Sequence, residues 1–205
     1  PGTLDLFLSS SKPEDFSFFE GLPHLIDGRV IYDASEAIEL LDKEVEKRLN
    51  ERGEFLKQAR CVNIEEYNGK HPTKPLAPLV VVVDEFADLV DQLGRQRTAR
   101  DAFYTRIRRV AQLGRSRGIH LVLCTQRPSA DLVPTSIRNL MNARVALKVN
   151  DATASRMILE TPGAEQLQGQ GDLLFKEHDG MLRAQGYTIE TEQLVDLLHQ
   201  MVTQS

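Results

Sequence analysis

An α/β fold, with a mostly parallel central sheet and flanking helices, is what this sequence predicts, on three observations. The run Leu79-Val80-Val81-Val82-Val83 is apolar without period-2 alternation, which reads as a strand buried on both faces. A second run of the same kind, Ile119-His120-Leu121-Val122-Leu123-Cys124, follows some 40 positions on, and both runs end in polar groups. Between and around them, apolar residues recur at helical spacing, as in Ile38, Leu41, Val45 and Leu49. At 205 residues the chain is sized for one domain spanning 1–205 with a substantial core.

Taken in order, Leu4 to Leu8 alternates and predicts a short strand, ended by Ser9-Ser10-Ser11-Lys12-Pro13 as turn chemistry. Phe16 to Leu25, with Gly21 and Pro23, predicts a packed loop, and Val30-Ile31-Tyr32 another short strand. Ser35 is the expected N-cap of a surface helix whose Glu36, Glu39 and Glu44 intersperse with Lys43, Lys47 and Arg48; Gly53 is expected to break or kink it. A Pro-rich loop, 68–78, delivers the chain to the valine strand. Helical segments are expected from Phe86 to Gly94 and from Ile107 to Leu113. Arg144 to Val149 predicts a third strand, and Asp151 caps a helix over 152–159. The turn Gly169-Gln170-Gly171-Asp172 leads to a hairpin, 173–175 with 181–188, across Asp179-Gly180; an amphipathic helix closes the chain over 192–202.

The chemistry gathers where the strands end. Ionised carboxylates are costly to bury unless paired or metal-bound, and ligands bind at the carboxyl edge of open α/β sheets. Asp84-Glu85 therefore reads as a Walker B pair, with Asp84 on Mg²⁺ and Glu85 polarising the water that attacks a γ-phosphate. The alternative is a solvated acid pair opening the next helix at its positive end. Thr125-Gln126-Arg127-Pro128 falls on the same edge if the strands are parallel; Gln126 then reads the γ-phosphate or positions water, or else Thr125 and Pro128 only form a turn.

From Arg95 to Arg117 eight arginines face one acid, Asp101. The segment is either a solvated helix face or a phosphate-contacting or subunit-contacting surface, for which the bidentate guanidinium is suited. The net charge of −5 excludes a uniformly basic nucleic-acid coat. The longest apolar run is far short of the roughly 20 residues that span a bilayer, no signal peptide is visible, and Cys61 and Cys124 lack metal or redox spacing, so a cytoplasmic protein with reduced thiols is expected. A start at Pro1 without Met is expected of a piece processed or excised from a longer protein.

The stretches LVVVVDEFADL, GIHLVLCTQRPS, NARVALKVNDATASRMIL and GAEQLQGQGDLLF resemble, in order and spacing, the motor domain of the FtsK/SpoIIIE DNA translocases, of the HerA/FtsK superfamily. FFEGLPHL and RLNERGEFLKQARCVNIEEYN extend the resemblance over most of 4–190. It implies a RecA-like P-loop NTPase fold, Mg²⁺ and ATP as cofactors, and hexameric rings that pump double-stranded DNA. It further implies Asp84 as metal ligand, Thr125 and Gly171 on the nucleotide side, Glu85 and Gln126 as catalytic groups, and Arg127, Arg144 or Arg156 as the arginine offered to a neighbouring subunit's γ-phosphate. Arg95, Arg97, Arg106, Arg108, Arg109, Arg115 and Arg117 would serve DNA or the subunit interface, and 95–117 looks like a basic insertion.

Two departures qualify the likeness. No G-x-x-x-x-G-K-[ST] loop occurs: Gly69-Lys70 is followed by His71, and Ile64 stands where the partner glycine belongs. The N-terminal part of the motor is therefore expected to be missing, and the isolated chain to hydrolyse no ATP. The family's C-terminal winged helix is also absent from the 205 residues. Rival readings are a non-catalytic DNA-binding or ring-assembly module, and an FtsK-like ATPase of secretion, conjugation or DNA restriction.

Overall fold

The computed structural model describes residues 4–178 and 180–203. The backbone divides into two compact units: one runs to Gln126 and takes in the chain again from Leu198, the other is Arg127–Leu197.

The first unit is built on three parallel strands, β1 (Asp5–Ser9), β2 (Leu79–Val83) and β3 (Ile119–Leu123), in the order β1-β2-β3. Their registers, Asp5 with Leu79 and Leu79 with Ile119, align all three carboxyl ends at one edge. β2 buries Leu79, Val81 and Val83 fully and Val80 and Val82 partly, while β3 leaves His120 and Val122 exposed, so the expected two-sided burial does not extend to β3. The strand expected at 30–32 contributes one parallel bridge, Ile31 with Ser9.

After the short helix α1 (Pro13–Phe16), helix α2 (Ala34–Leu40) runs through a π-helical stretch, Leu41–Glu46, into α3 (Lys47–Ala59). Its N-cap is Asp33, not Ser35: the Asp33 carboxylate accepts from Glu36 N at 2.9 Å. The wider π turn accommodates an extra residue, and both Leu40 and Leu41 are buried with Val45 and Leu49. Gly53 does not break α3. Arg117 lies over it, its Cζ 2.9 Å from where a Cβ would stand, and donates from Nη1 to Leu49 O at 2.8 Å. The missing side chain is thus a berth for a guanidinium.

Helix α4 (Ile64–Lys70) leads into the proline loop, where the Asn68 amide brackets Leu76, donating to its carbonyl and accepting from its N–H. α5 (Phe86–Gln92) buries Phe86, Ala87, Leu89 and Val90. α6 (Arg97–Leu113) buries Phe103, Ile107 and Val110, with Phe103 stacked on Phe86 at 5.4 Å between centroids. The basic segment thus contributes an apolar face to this unit's core.

The second unit carries an antiparallel sheet, β4 (Ala143–Ala146), β5 (Asp172–Glu177) and β6 (Gly180–Gln185), in that order. The strand expected at 144–149 is thus shorter and belongs to an antiparallel sheet. Helices α7 (Thr135–Arg138) and α8 (Ala152–Leu159) precede the hairpin; Asp151 caps α8 as expected, accepting from Thr153 N and Ala154 N. Ala146, Leu159, Ala164 and Leu167 form its core, with Leu174 against them. The hairpin forms as expected, though Asp179 lies outside the described residues. The terminal helix α9 is Thr191–Thr203.

Candidate functional site

The shared carboxyl edge of β1, β2 and β3 brings together Ser9–Ser11, Asp84-Glu85 and Cys124–Gln126. Each strand end supplies something to its neighbour. Ser10 Oγ donates to Asp84 Oδ2 at 3.0 Å and accepts from Lys12 N at 3.1 Å, so the backbone fixes which way the hydroxyl points. Ser11 Oγ donates to Asp88 Oδ2, one turn further along. Asp84 N donates to Ser9 O, and Phe86 N to Cys124 O, both at 2.8 Å.

Glu85, 4 % exposed, is the buried acid of the pair. Its Oε1 accepts from Thr125 Oγ1 at 2.8 Å and its Oε2 from Gln126 N at 2.9 Å. This satisfies the requirement that a buried carboxylate be hydrogen-bonded. Asp84 is half-buried. Cys124 is exposed as a residue, yet desolvation of its sulfur, then the carboxylates of Asp84 and Glu85, push its thiol up from the usual value.

No group of three or more His, Cys, Asp or Glu able to hold a metal occurs among the described residues. One half-buried carboxylate beside the Ser10 hydroxyl suits Mg²⁺ in particular. That ion keeps several waters and is bound through one or two carboxylates plus substrate phosphates, without an all-protein cage. Asp84 therefore fits as its protein ligand.

The sequence-predicted residues separate into groups. Asp84, Glu85, Thr125 and Gln126 meet at one edge. Arg127, Arg144, Arg156 and Gly171 belong to the second unit. There Arg144 donates to three carbonyls, those of Met141, Ile158 and Arg138, at 2.9–3.0 Å. Gly171 has φ +88°, and an added Cβ would meet Gln185 Nε2 and Gly186 O. Arg127 and Arg156 are exposed. Of the basic segment, Arg106 binds Asp42, Arg109 binds Glu46 and Asn50, and Arg117 covers Gly53, so these three brace the first unit. Asp42 raises the Arg106 guanidinium above its ordinary value. Arg95, Arg97 and Arg115 are exposed, with Arg97 3.8 Å from Asp101; Arg108 is half-buried and its Nε has no hydrogen-bond partner among the described residues. Ser10 and Ser11 are the site residues that sequence reasoning missed. The signal was the Ser9-Ser10-Ser11 run closing the first strand, read only as turn chemistry.

An acid pair at the carboxyl edge of a parallel sheet, with hydroxyl and amide donors converging from the neighbouring strands, fits one fold class: the α/β P-loop NTPase fold. The solved structures similar to this chain are of that class. They include the pCW3 conjugation coupling protein TcpA with ATPγS (TM-score 0.82, 23% identity, 97% of this chain and 56% of that one) and the cytoplasmic domain of the Thermomonospora curvata type VII secretion ATPase EccC (TM-score 0.74, 22%, 98% and 24%). The family model for FtsK/SpoIIIE matches residues 1–130, and the chain belongs to that family. Its curated relatives include the DNA translocases FtsK of Helicobacter pylori (35% identical over 85% of this chain), Campylobacter jejuni (38%, 85%) and Staphylococcus epidermidis (32%, 100%). The chain spans 20%, 18% and 26% of their respective lengths. No helix among the described residues is long and apolar enough to cross a membrane.

Proposed function

We propose that this chain supplies the Walker B and sensor side of an ATP-driven double-stranded DNA translocase, working in the full-length protein as a cytoplasmic hexameric ring. The observation that carries this reading is the acid pair after β2, with Asp84 tied to Ser10 and Glu85 held at both oxygens from β3. Asp84 holds Mg²⁺, which when bound neutralises phosphate charge as it develops. Glu85 orients the attacking water, and the Gln126 side chain serves the γ-phosphate or that water. Relatives that are 32–38% identical and bear the name DNA translocase support DNA as the substrate. The conjugation and secretion proteins, below 25% identity, speak for the fold alone.

Of the three arginines considered for a neighbour's γ-phosphate, Arg127 and Arg156 are exposed and Arg144 donates to backbone carbonyls; all three stay candidates. Arg95, Arg97 and Arg115, exposed on the first unit, are the favoured contacts to DNA phosphates. The 205 residues contain no Walker A loop, so hydrolysis belongs to the full-length protein and the isolated chain is expected to show none.

The test is Glu85→Gln in the full-length protein, assayed for ATP binding and phosphate release. Binding should persist while hydrolysis falls by on the order of 100-fold or more; wild-type turnover would overturn the assignment. In the same preparation, replacing Arg95, Arg97 and Arg115 by Ala should flatten the salt dependence of DNA binding, by about 0.9 in log–log slope for each phosphate left without its arginine. An unchanged slope would return those arginines to a solvated face.

A further inference from the structure

The backbone of Glu85 is held from several directions at once. Its φ of 41° and ψ of 62° put a non-glycine residue in the left-handed region. Such a conformation costs roughly 1–2 kcal/mol and persists where the surroundings over-determine it. Here Asp84 N is bonded to Ser9 O on one side and Phe86 N to Cys124 O on the other. The strained residue is thereby clamped between the ends of β1 and β3.

The side chain receives the same treatment. A carboxylate's terminal torsion is broad and weakly restrained on its own, so one donor would leave its plane free to turn. Glu85 has two donors, Thr125 Oγ1 on Oε1 and Gln126 N on Oε2, from consecutive residues of a single chain segment. Two donors rooted in one stretch of backbone, one at each oxygen, fix the plane.

We infer that Thr125 is a positioning residue, whose hydroxyl, paired with the Gln126 amide, sets the orientation in which Glu85 meets the attacking water. The inference rests on the reading of Glu85 as the water-orienting group. It gives Thr125 a task distinct from contact with the nucleotide, and gives Gln126 a backbone contribution independent of its side chain. Preorganised groups of this kind act in the transition state without reorganising, so their removal registers in turnover and not in binding.

The experiment uses the full-length protein with Thr125→Val, which removes the hydroxyl at nearly constant shape, Thr125→Ser, which keeps it, and Thr125→Ala in case the valine variant melts early. Nucleotide affinity is read by fluorescent-nucleotide titration alongside kcat and KM. Thr125→Val is expected to lower kcat about 10- to 100-fold, leave nucleotide affinity and KM within about twofold, and be rescued by Thr125→Ser. In a Glu85→Gln background the valine change should cost nothing further. A parallel loss of nucleotide affinity with kcat preserved would make Thr125 a nucleotide contact and overturn the inference, as would a kcat unaffected by the valine variant. If Glu85→Gln is itself fully active, the reading of Glu85 fails first; if it is inactive while Thr125→Val turns over normally, only the positioning role fails.

Discussion

The two sheets use their polar side chains over different ranges. In the parallel sheet, hydroxyls and carboxylates reach between strand ends far apart in sequence: Ser10 to Asp84, Thr125 to Glu85. In the antiparallel sheet they serve their own neighbourhood: Asp151 caps the helix it precedes, Arg144 gathers carbonyls from 138 to 158, and Arg183 grips Asp172 across one hairpin. Long-range polar pairs at the carboxyl edge of a parallel sheet hold groups ready for a ligand; short-range pairs stabilise a shape. On that ground the acid edge of the first region is read as chemistry, and Asp151, Arg144, Asp172 and Arg183 of the second as scaffold.

This contrast is most easily broken at Arg144. Replacing it by Met should leave carbonyls of Met141, Ile158 and Arg138 without their donor and destabilise the second unit by on the order of 3 kcal/mol. Amide exchange over 138–160 should rise sharply while exchange at 79–86 holds. If instead hydrolysis falls in the full-length protein with exchange unchanged, Arg144 is a reacting arginine and the scaffold reading of this region is wrong. A smaller effect is expected at Ser10. Ser10→Ala removes the hydroxyl on Asp84, at a stability cost of about 1 kcal/mol, and should raise the Mg²⁺ concentration needed for nucleotide binding a few-fold; Ser10→Thr should restore it. An unaltered Mg²⁺ requirement would reduce Ser10 to a structural role.

The smallest effect is a dependence on acid. Asp172, gripped by Arg183 and accepting from Gln168 N, has its carboxyl drawn down to about 2, chiefly by the Arg183 hydrogen bond. A depressed carboxyl contributes stability above its unfolded value of about 3.9, and that contribution is lost as pH falls through about 2. Melting of the second unit should therefore lose stability over that window, and Asp172→Asn should remove this part of the acid dependence. An identical acid profile in the variant would show that the grip contributes nothing.

What was legible in the sequence follows the same division by range. Asp151 was readable as a cap because its partners are two and three residues away. The parallel strands and the acid pair were readable because valine runs and adjacent charges are local patterns. The misreadings had distant partners. Gly53 looks like a helix breaker until Arg117, 64 positions on, is laid over it. Arg106 and Arg109 look like a free basic face until Asp42 and Glu46 arrive opposite. Ser10 could be assigned only with the register of β1 against β2 in hand. Ser35 lost the capping position to Asp33, two residues earlier, a choice that local chemistry leaves open.

That register also dictates an order of assembly. β2 and β3 join residues 40 apart, Leu79 with Ile119, whereas β1 and β2 join residues 74 apart, Asp5 with Leu79. Closing the longer loop costs more entropy before its pairings repay it, and distant pairings slow folding. The Thr125–Glu85 half of the edge is therefore expected to form first and the Ser10–Asp84 half last. In a pulse-labelled refolding experiment, amides of β3 should gain protection ahead of those of β1; simultaneous protection would mean the sheet condenses as one piece. A chain folding in this order would have Glu85 held at both oxygens before Asp84 gains its serine, and the edge would stay incomplete until β1 docks.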